Sequence, residues 1–293
     1  MRHFTPLRYP GGKAKLANFV KAILNRNCLE DAHYVEPYAG GASVGLELLL
    51  NEHVAHVHIN DIDRSIFAFW HSVLNDTQAL CDRITKARLS IVEWRKQRSI
   101  QRRAQQANLL ALGFSTFYLN RTNRSGIIFS GGPIGGLKQN GKWKLDARFY
   151  RDTLIARIES IARYRGRITL SNLDAAAFLR RLLPTLPKKS LLYLDPPYYI
   201  KGKRRLYANS YEHSDHVEIA TLLNGYNQPW LVSYDNVPEI RALYKGYRHR
   251  KYQLQYTARD RYQGAEVVFF SHNLALPKPQ KMFLYSGLSK GSG

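Results

Sequence analysis

The stretch "LLYLDPPYYI", residues 191–200, runs four apolar residues into an aspartate, two prolines and two tyrosines. The apolar run reads as a buried parallel strand, and its polar end belongs at a sheet edge where it can meet a ligand. Asp195 offers a carboxylate and Pro196 a carbonyl. Neither Pro196 nor Pro197 brings a competing backbone N–H, and both fix φ. Two adjacent acceptors can take the two N–H bonds of an exocyclic amine, draw its planar nitrogen towards tetrahedral geometry and expose the lone pair. An aspartate of ordinary pKa, about 3.9, is too weak a base to deprotonate a neutral amine. Its part is hydrogen bonding, with proton loss once the amine is cationic. Tyr198 adds a ring face for stacking on a planar base. Asp195, Pro196, Pro197 and Tyr198 are the catalytic candidates.

The electrophile needs its own site. In "EPYAGGASV", residues 36–44, glycines stand between a short strand, "HYVEPY", and a helix, "ASVGLELLLN". Such a turn lets backbone approach a ligand, and the helix start adds N–H donors. Asp61 follows Gly40 by 21 residues, at the end of the next strand, "VAHVHIND", where an acid can accept from ribose hydroxyls. The pattern is not GxGxxG, and no GKS or GKT follows, which disfavours a dinucleotide or ATP phosphate site. A nucleoside without a triphosphate suggests S-adenosylmethionine. Upstream, "LRYPGGKAKL" places Tyr9 to line that pocket and Lys13 to pair with a carboxylate, unless the turn merely caps the following helix.

These residues need a sheet to hold them. Strand, glycine turn, helix, strand and acid form half of a nucleotide-binding α/β sheet. Residues 14–28 read as an amphipathic helix, with Leu16, Phe19, Val20, Ile23 and Leu24 on one face. After Asp63 the texture turns helical and basic to about residue 118, then rich in Gly and Asn. Parallel-strand texture returns at "RITLSN" and "SLLYLDPPY". It continues in "WLVSYDN", with "YQLQYT" and "EVVFFSHNL" as probable hairpin strands. The expected fold is α/β, a Rossmann-like, mostly parallel sheet with helices on both faces. A discontinuous catalytic domain, 1–65 and 166–285, is interrupted by a mainly helical recognition insertion, 66–165, and followed by a disordered tail, 286–293.

Charge points to the partner. The 293 residues carry 44 Lys and Arg against 22 acids, a net charge of +22, which suits a polyanion whose phosphates release counterions on binding. No apolar run nears the roughly 18 residues of a membrane span, and no signal peptide is apparent. Cys28 and Cys81 show neither CxxC nor metal-ligand spacing. The reading is a cytoplasmic, metal-free monomer.

"RYPGGK", "EPYAGGASV", "NDID" and "DPPY", in that order, resemble the Dam-like DNA adenine-N6 methyltransferases over nearly the whole chain. The resemblance implies a Rossmann-like sheet, S-adenosylmethionine, double-stranded DNA as partner, and a target-recognition insertion between "NDID" and "DPPY". It implies cofactor contacts at Tyr9, Lys13, Asp61 and Asp195, with Glu36, Tyr38 and Gly40 in the glycine turn. Asp174 falls where the family holds the adenine ring, though an acid opening a helix is equally an N-cap. Where the family carries "FxGxG", this chain has Tyr38 and Ala42. "DPPY" also occurs in cytosine-N4, RNA and protein-glutamine methyltransferases, so cytosine N4 and RNA adenine remain alternatives, as does an inactive DNA-binding regulator. An intact "DPPY" and Asp61 argue against the last.

For DNA contact, Arg95, Arg102 and Arg103 lie on a basic helical run that is either a solvated face or a phosphate contact. Asn120, Arg121, Asn123 and Arg124, in "NRTNRSG", have the side chains that read base edges, although Asn near glycine also holds turns. Lys201, Lys203 and Arg204 sit in a basic, tyrosine-rich segment after the catalytic motif, placed to close as a lid. His213 and His216 read as helix-start residues, and Tyr234 or Asp235, in "VSYDN", as a border of the base pocket.

Overall fold

Apolar side chains that alternate along a strand enter two different cores, and this alternation sets the architecture. In a computed structural model describing residues 4–8, 14–199, 211–253 and 265–278, the strands are β1 (Ala32–Glu36), β2 (Val54–Asn60), β3 (Ile168–Ser171), β4 (Ser190–Leu194), β5 (Trp230–Asp235), β6 (Arg248–Gln253) and β7 (Ala265–Phe270). They form one sheet in the order β3-β2-β1-β4-β5-β7-β6. The first five are parallel, and β7 runs antiparallel to both β5 and β6. The expected strand at "YQLQYT" thus begins earlier, at Arg248, and its last residues lie outside the described ones.

Helices α1 (Ala14–Arg26), α2 (Ser43–Leu50) and α3 (Arg64–Asn75) share a core with Tyr34, Leu191, Tyr193, Leu231, Val268 and Phe270. Helices α8 (Ala175–Leu182), α9 (His213–Asn224) and α10 (Pro238–Leu243) share the other with Val35, Leu192, Leu194, Val232, Val267 and Phe269. Helices therefore cover both faces of a Rossmann-like α/β sheet. Among the described residues no helix is long and apolar enough to cross a membrane.

Between α3 and β3 come α4 (Thr77–Lys86), α5 (Ile91–Arg102), α6 (Leu109–Thr122) and α7 (Arg151–Ala162). Trp94, Phe114, Phe117, Tyr118 and Phe149 continue the first core rather than forming one of their own. Helix α6 crosses α3 at Gly113, where a Cβ would stand 2.5 Å from both the Ala68 carbonyl and Ser72 Oγ. Only a residue without a side chain permits that approach.

The strand order reverses at the centre. From β1 the chain moves outward through β2 to β3, then returns to β4 on the other side of β1. The helix after β1 leaves over one face and that after β4 over the other, opening a crevice at the carboxyl ends of these two strands. The turns carrying "EPYAGG" and "DPPY" flank it.

Candidate active site

The turn after β1 is fixed from below and from the side. Glu36, buried at the strand end, accepts from Gly45 N–H at 3.0 Å and so faces the first turn of α2. Ala39 N–H donates to the Asn60 carbonyl (2.8 Å), and Trp70 Nε1–H to the Gly40 carbonyl (2.9 Å). Gly40 and Ala42 both adopt φ +46°. The left-handed region costs a Cβ-bearing residue roughly 1–2 kcal/mol, which explains why glycine suits position 42 and shows this chain carrying alanine there under strain. Ala42 gives α2 no side-chain cap, so N–H donors remain at the helix start.

Asp61 follows β2 at the same edge. Its Oδ2 accepts from Gly40 N–H (2.8 Å) and its Oδ1 from Asp63 N–H (2.9 Å). Burial, then the neighbouring Asp63, push its pKa up to about 7, partly offset by those two donors. Asn60, buried beside it, donates to the Pro37 and Leu173 carbonyls (3.0 and 2.9 Å) and accepts from Leu173 N–H (3.0 Å). It ties the ends of β1, β2 and β3 together. Asp174 caps α8, accepting from Ala176 and Ala177 N–H (2.9 and 3.2 Å), and is exposed. Tyr38 pairs its hydroxyl with that of Tyr211 at 2.8 Å. A buried acid beside a tight turn, with N–H donors left at the start of α2, fits S-adenosylmethionine, whose use the fold and family imply. Tyr9 and Lys13 lie outside the described residues.

Three residues of the last sheet strands hold the turn after β4. Ser233 Oγ donates to Asp195 Oδ1 at 2.7 Å, and Tyr199 N–H to Asp235 Oδ1 at 2.9 Å. The Tyr198 hydroxyl donates to Glu266, and its ring, 9 % exposed, is packed rather than displayed. Pro196 is buried and Pro197 half-buried. Tyr234, expected at the pocket border, faces the other core. It is fully buried and its hydroxyl meets His216 Nδ1 at 3.1 Å, because β5 turns alternate side chains to opposite faces. Residues 213 and 216 lie in the first turn of α9, closed by a capping box between Glu212 and Asp215. Burial lowers the His216 pKa to about 4, keeping it neutral. The signal for Ser233 was a hydroxyl interrupting "WLVSYD"; for Asn60, an amide just before the acid.

The residues expected to contact DNA divide sharply. Arg95, Arg102, Arg103 and Arg124 are exposed. Asn120 is buried: it accepts from Arg8 N–H (2.7 Å) and donates to the Arg8 and Gly126 carbonyls (2.8 and 2.9 Å). Arg121 donates through Nε to the Pro6 carbonyl at 2.7 Å. Burial, with Arg157 and Arg8 nearby, brings its pKa down to about 9. Asn123 accepts from Trp94 Nε1–H (2.7 Å) and donates to the Ile127 and Ile128 carbonyls (2.7 and 3.2 Å). Expected at base edges, these three instead bind the chain's own backbone. Lys201, Lys203 and Arg204 lie outside the described residues.

Among the described residues no group of three His, Cys, Asp or Glu is arranged to hold a metal ion. An open groove lined by Phe67, His71 and Leu170 lies by edge strand β3 and contains none of the expected residues.

No curated protein matches the sequence. Among solved structures, a Pyrococcus horikoshii protein classed provisionally as an RNA methyltransferase aligns at TM-score 0.42 and 10% identity, over 90% of this chain and 85% of that one. TrmN from Thermus thermophilus aligns at 0.39 and 12%, over 87% and 47%. The rRNA methyltransferase aviRa from Streptomyces viridochromogenes aligns at 0.37 and 12%, over 90% and 86%. The family described as D12 class N6 adenine-specific DNA methyltransferase matches residues 9–258. Its match embraces both turns of the crevice and the helices between β2 and β3, and the chain belongs to this family of adenine methyltransferases.

Proposed function

We propose that the protein transfers a methyl group from S-adenosylmethionine to N6 of an adenine drawn out of duplex DNA. The observation that carries this reading is the Asp195 carboxylate, fixed by Ser233 at the edge of the crevice that the glycine turn also borders. Asp61, the 38–42 turn and the start of α2 would hold the cofactor, with Tyr9 and Lys13 as further contacts. When bound, S-adenosylmethionine supplies an electrophilic methyl on a sulfonium.

The protein's own part is positioning. Asp195 and the Pro196 carbonyl accept the two N–H bonds of the adenine amine, making its nitrogen the nucleophile. Among the described residues no donor occupies the Pro196 carbonyl. After transfer the amine is cationic, and its surplus proton leaves along the bond to the Asp195 carboxylate. Tyr198, anchored through Glu266, borders the base.

DNA as the substrate is favoured by the family's description and by the net charge of +22. Arg95, Arg102, Arg103 and Arg124 are exposed, which supports reading residues 66–165 as the target-recognition region, with these arginines contacting phosphates. A duplex whose adenines are replaced by purine, which lacks the N6 amine, tests the reaction. It should accept no methyl from labelled donor, whereas the adenine duplex should. Equal labelling of both would exclude N6.

A further inference from the structure

Strand β5 carries one feature that packing does not require. Ser233 interrupts the apolar run "WLVSYD" and is fully buried. The β4–β5 register pairs Leu192 with Trp230, Tyr193 with Leu231 and Leu194 with Val232, so the next step sets Ser233 beside Asp195. An ionised carboxylate has no proton to give, so the 2.7 Å bond runs from the Ser233 hydroxyl to Asp195 Oδ1. The Tyr193 hydroxyl, 3.1 Å from Ser233 Oγ and buried, must then donate to the serine. Tyr193 stands two residues before Asp195 and so on the same face of β4. The three groups form a directed chain across two strands: Tyr193 to Ser233 to Asp195.

We propose that Tyr193 and Ser233 are positioning residues for the reaction, which rests on the methyl-transfer reading above. Their relay fixes the plane of the Asp195 carboxylate so that it meets the amine N–H in line. Donors arranged in series strengthen one another in a dry interior, and a misplacement of about 1 Å at a reacting group can cost roughly 100-fold in rate. Hydrogen-bond donors also weaken a carboxylate as a base, which suits an acceptor whose task precedes proton loss. The competing explanation is that Ser233 only satisfies a buried polar neighbour, and it makes a different prediction. If satisfaction were all, deleting both hydroxyls would be nearly neutral.

Single-turnover methyl transfer at saturating S-adenosylmethionine and duplex DNA separates the two, with binding of each ligand measured alongside. Ser233→Ala should slow transfer about 10- to 100-fold, the loss expected for one hydrogen bond to a charged group. Both affinities should stay within about threefold. Tyr193→Phe should slow it less, roughly 3- to 10-fold. The double variant Y193F/S233A should recover melting temperature relative to S233A yet remain as slow. The relay is overturned if S233A transfers within about threefold of the wild type, or if the double variant recovers rate together with stability. A wild-type protein that methylates no adenine overturns the relay and the reading beneath it together. An active wild type with an unaffected S233A overturns the relay alone.

Discussion

The turn after β4 and the turn after α6 use similar residues for opposite ends. In the first, Asp195 and the prolines stand where a strand with neighbours on both sides stops, so the backbone behind them draws its hydrogen bonds from the sheet. The strand neighbour β5 even supplies the donor that holds Asp195. In the second, a helix ends against the segment 5–8, whose backbone has no strand partner, and a buried backbone group must find one. Asn120 and Arg121 are those partners, while Asn123 serves the carbonyls of Ile127 and Ile128 in the turn that follows. The lesson is that a polar side chain faces outward only where backbone pairing is already complete. Residue type and a neighbouring glycine do not decide it.

The sharpest break of this contrast is a pair of substitutions. Asp195→Ala should cut the transfer rate by at least about 1000-fold, a loss of roughly 4 kcal/mol in transition-state stabilisation, while stability falls by no more than the roughly 1 kcal/mol of one stranded hydroxyl, that of Ser233. Asn120→Ala should do the reverse, lowering stability by about 3 kcal/mol by stranding Arg8 N–H and two carbonyls. Thermal melts and initial rates on both proteins test it. A stable N120A that selectively loses one base preference would return that residue to recognition.

A smaller effect concerns the exposed half of the insertion. The triple variant R95Q/R102Q/R103Q should weaken DNA binding evenly across sequences and flatten the slope of log affinity against log salt by roughly 2 to 3. An unchanged slope would make that face simply solvated.

The smallest effect compares the two ends of the sheet under changing pH. His33, His56 and His58 stack on β1 and β2, with His33 Nδ1 and His58 Nε2 only 2.9 Å apart. Burial, then His56 and His33, lower the His58 pKa to about 3. The unfolded chain takes up this proton near pH 6.5 and the folded one does not, so stability falls as pH drops below about 6.5, by roughly 1.4 kcal/mol per unit per proton. Asp61 has the opposite sign. Its folded pKa of about 7 lies above the ordinary value, so its contribution is present at low pH and lost as pH rises towards 7. His58→Gln should therefore reduce the drop in melting temperature between pH 6.5 and 5, and Asp61→Asn should deepen it. Chemical denaturation at the two pH values reads both slopes, and identical slopes in all three proteins would remove the assignment.

Much of the sheet is legible because parallel strands announce themselves as short apolar runs, but their order across the sheet shows only in three dimensions. The same holds for the partners of the "DPPY" motif. Ser233 and Glu266 lie far along the chain and meet residues 195–199 only through sheet register. Asp174 could be read either as ligand contact or cap, and its cap bonds show only in three dimensions. Of Tyr234 and Asp235, both expected as a border of the base pocket, Asp235 meets the turn after β4 and Tyr234 faces the other core, because neighbouring strand residues take opposite faces. The inward turn of Asn120 and Arg121 depends on a segment more than a hundred residues away, and that of Asn123 on Trp94 and the turn at 127–128.

The most direct test offers duplex DNA and duplex RNA of the same sequence together with labelled S-adenosylmethionine, followed by digestion to nucleosides and mass spectrometry. Label should appear in N6-methyl-2′-deoxyadenosine from the DNA, with none in RNA or cytosine, and none anywhere with Asp195→Ala. Label on cytosine N4, label chiefly in RNA, or methyladenine formed by the Asp195→Ala protein would contradict the proposed function.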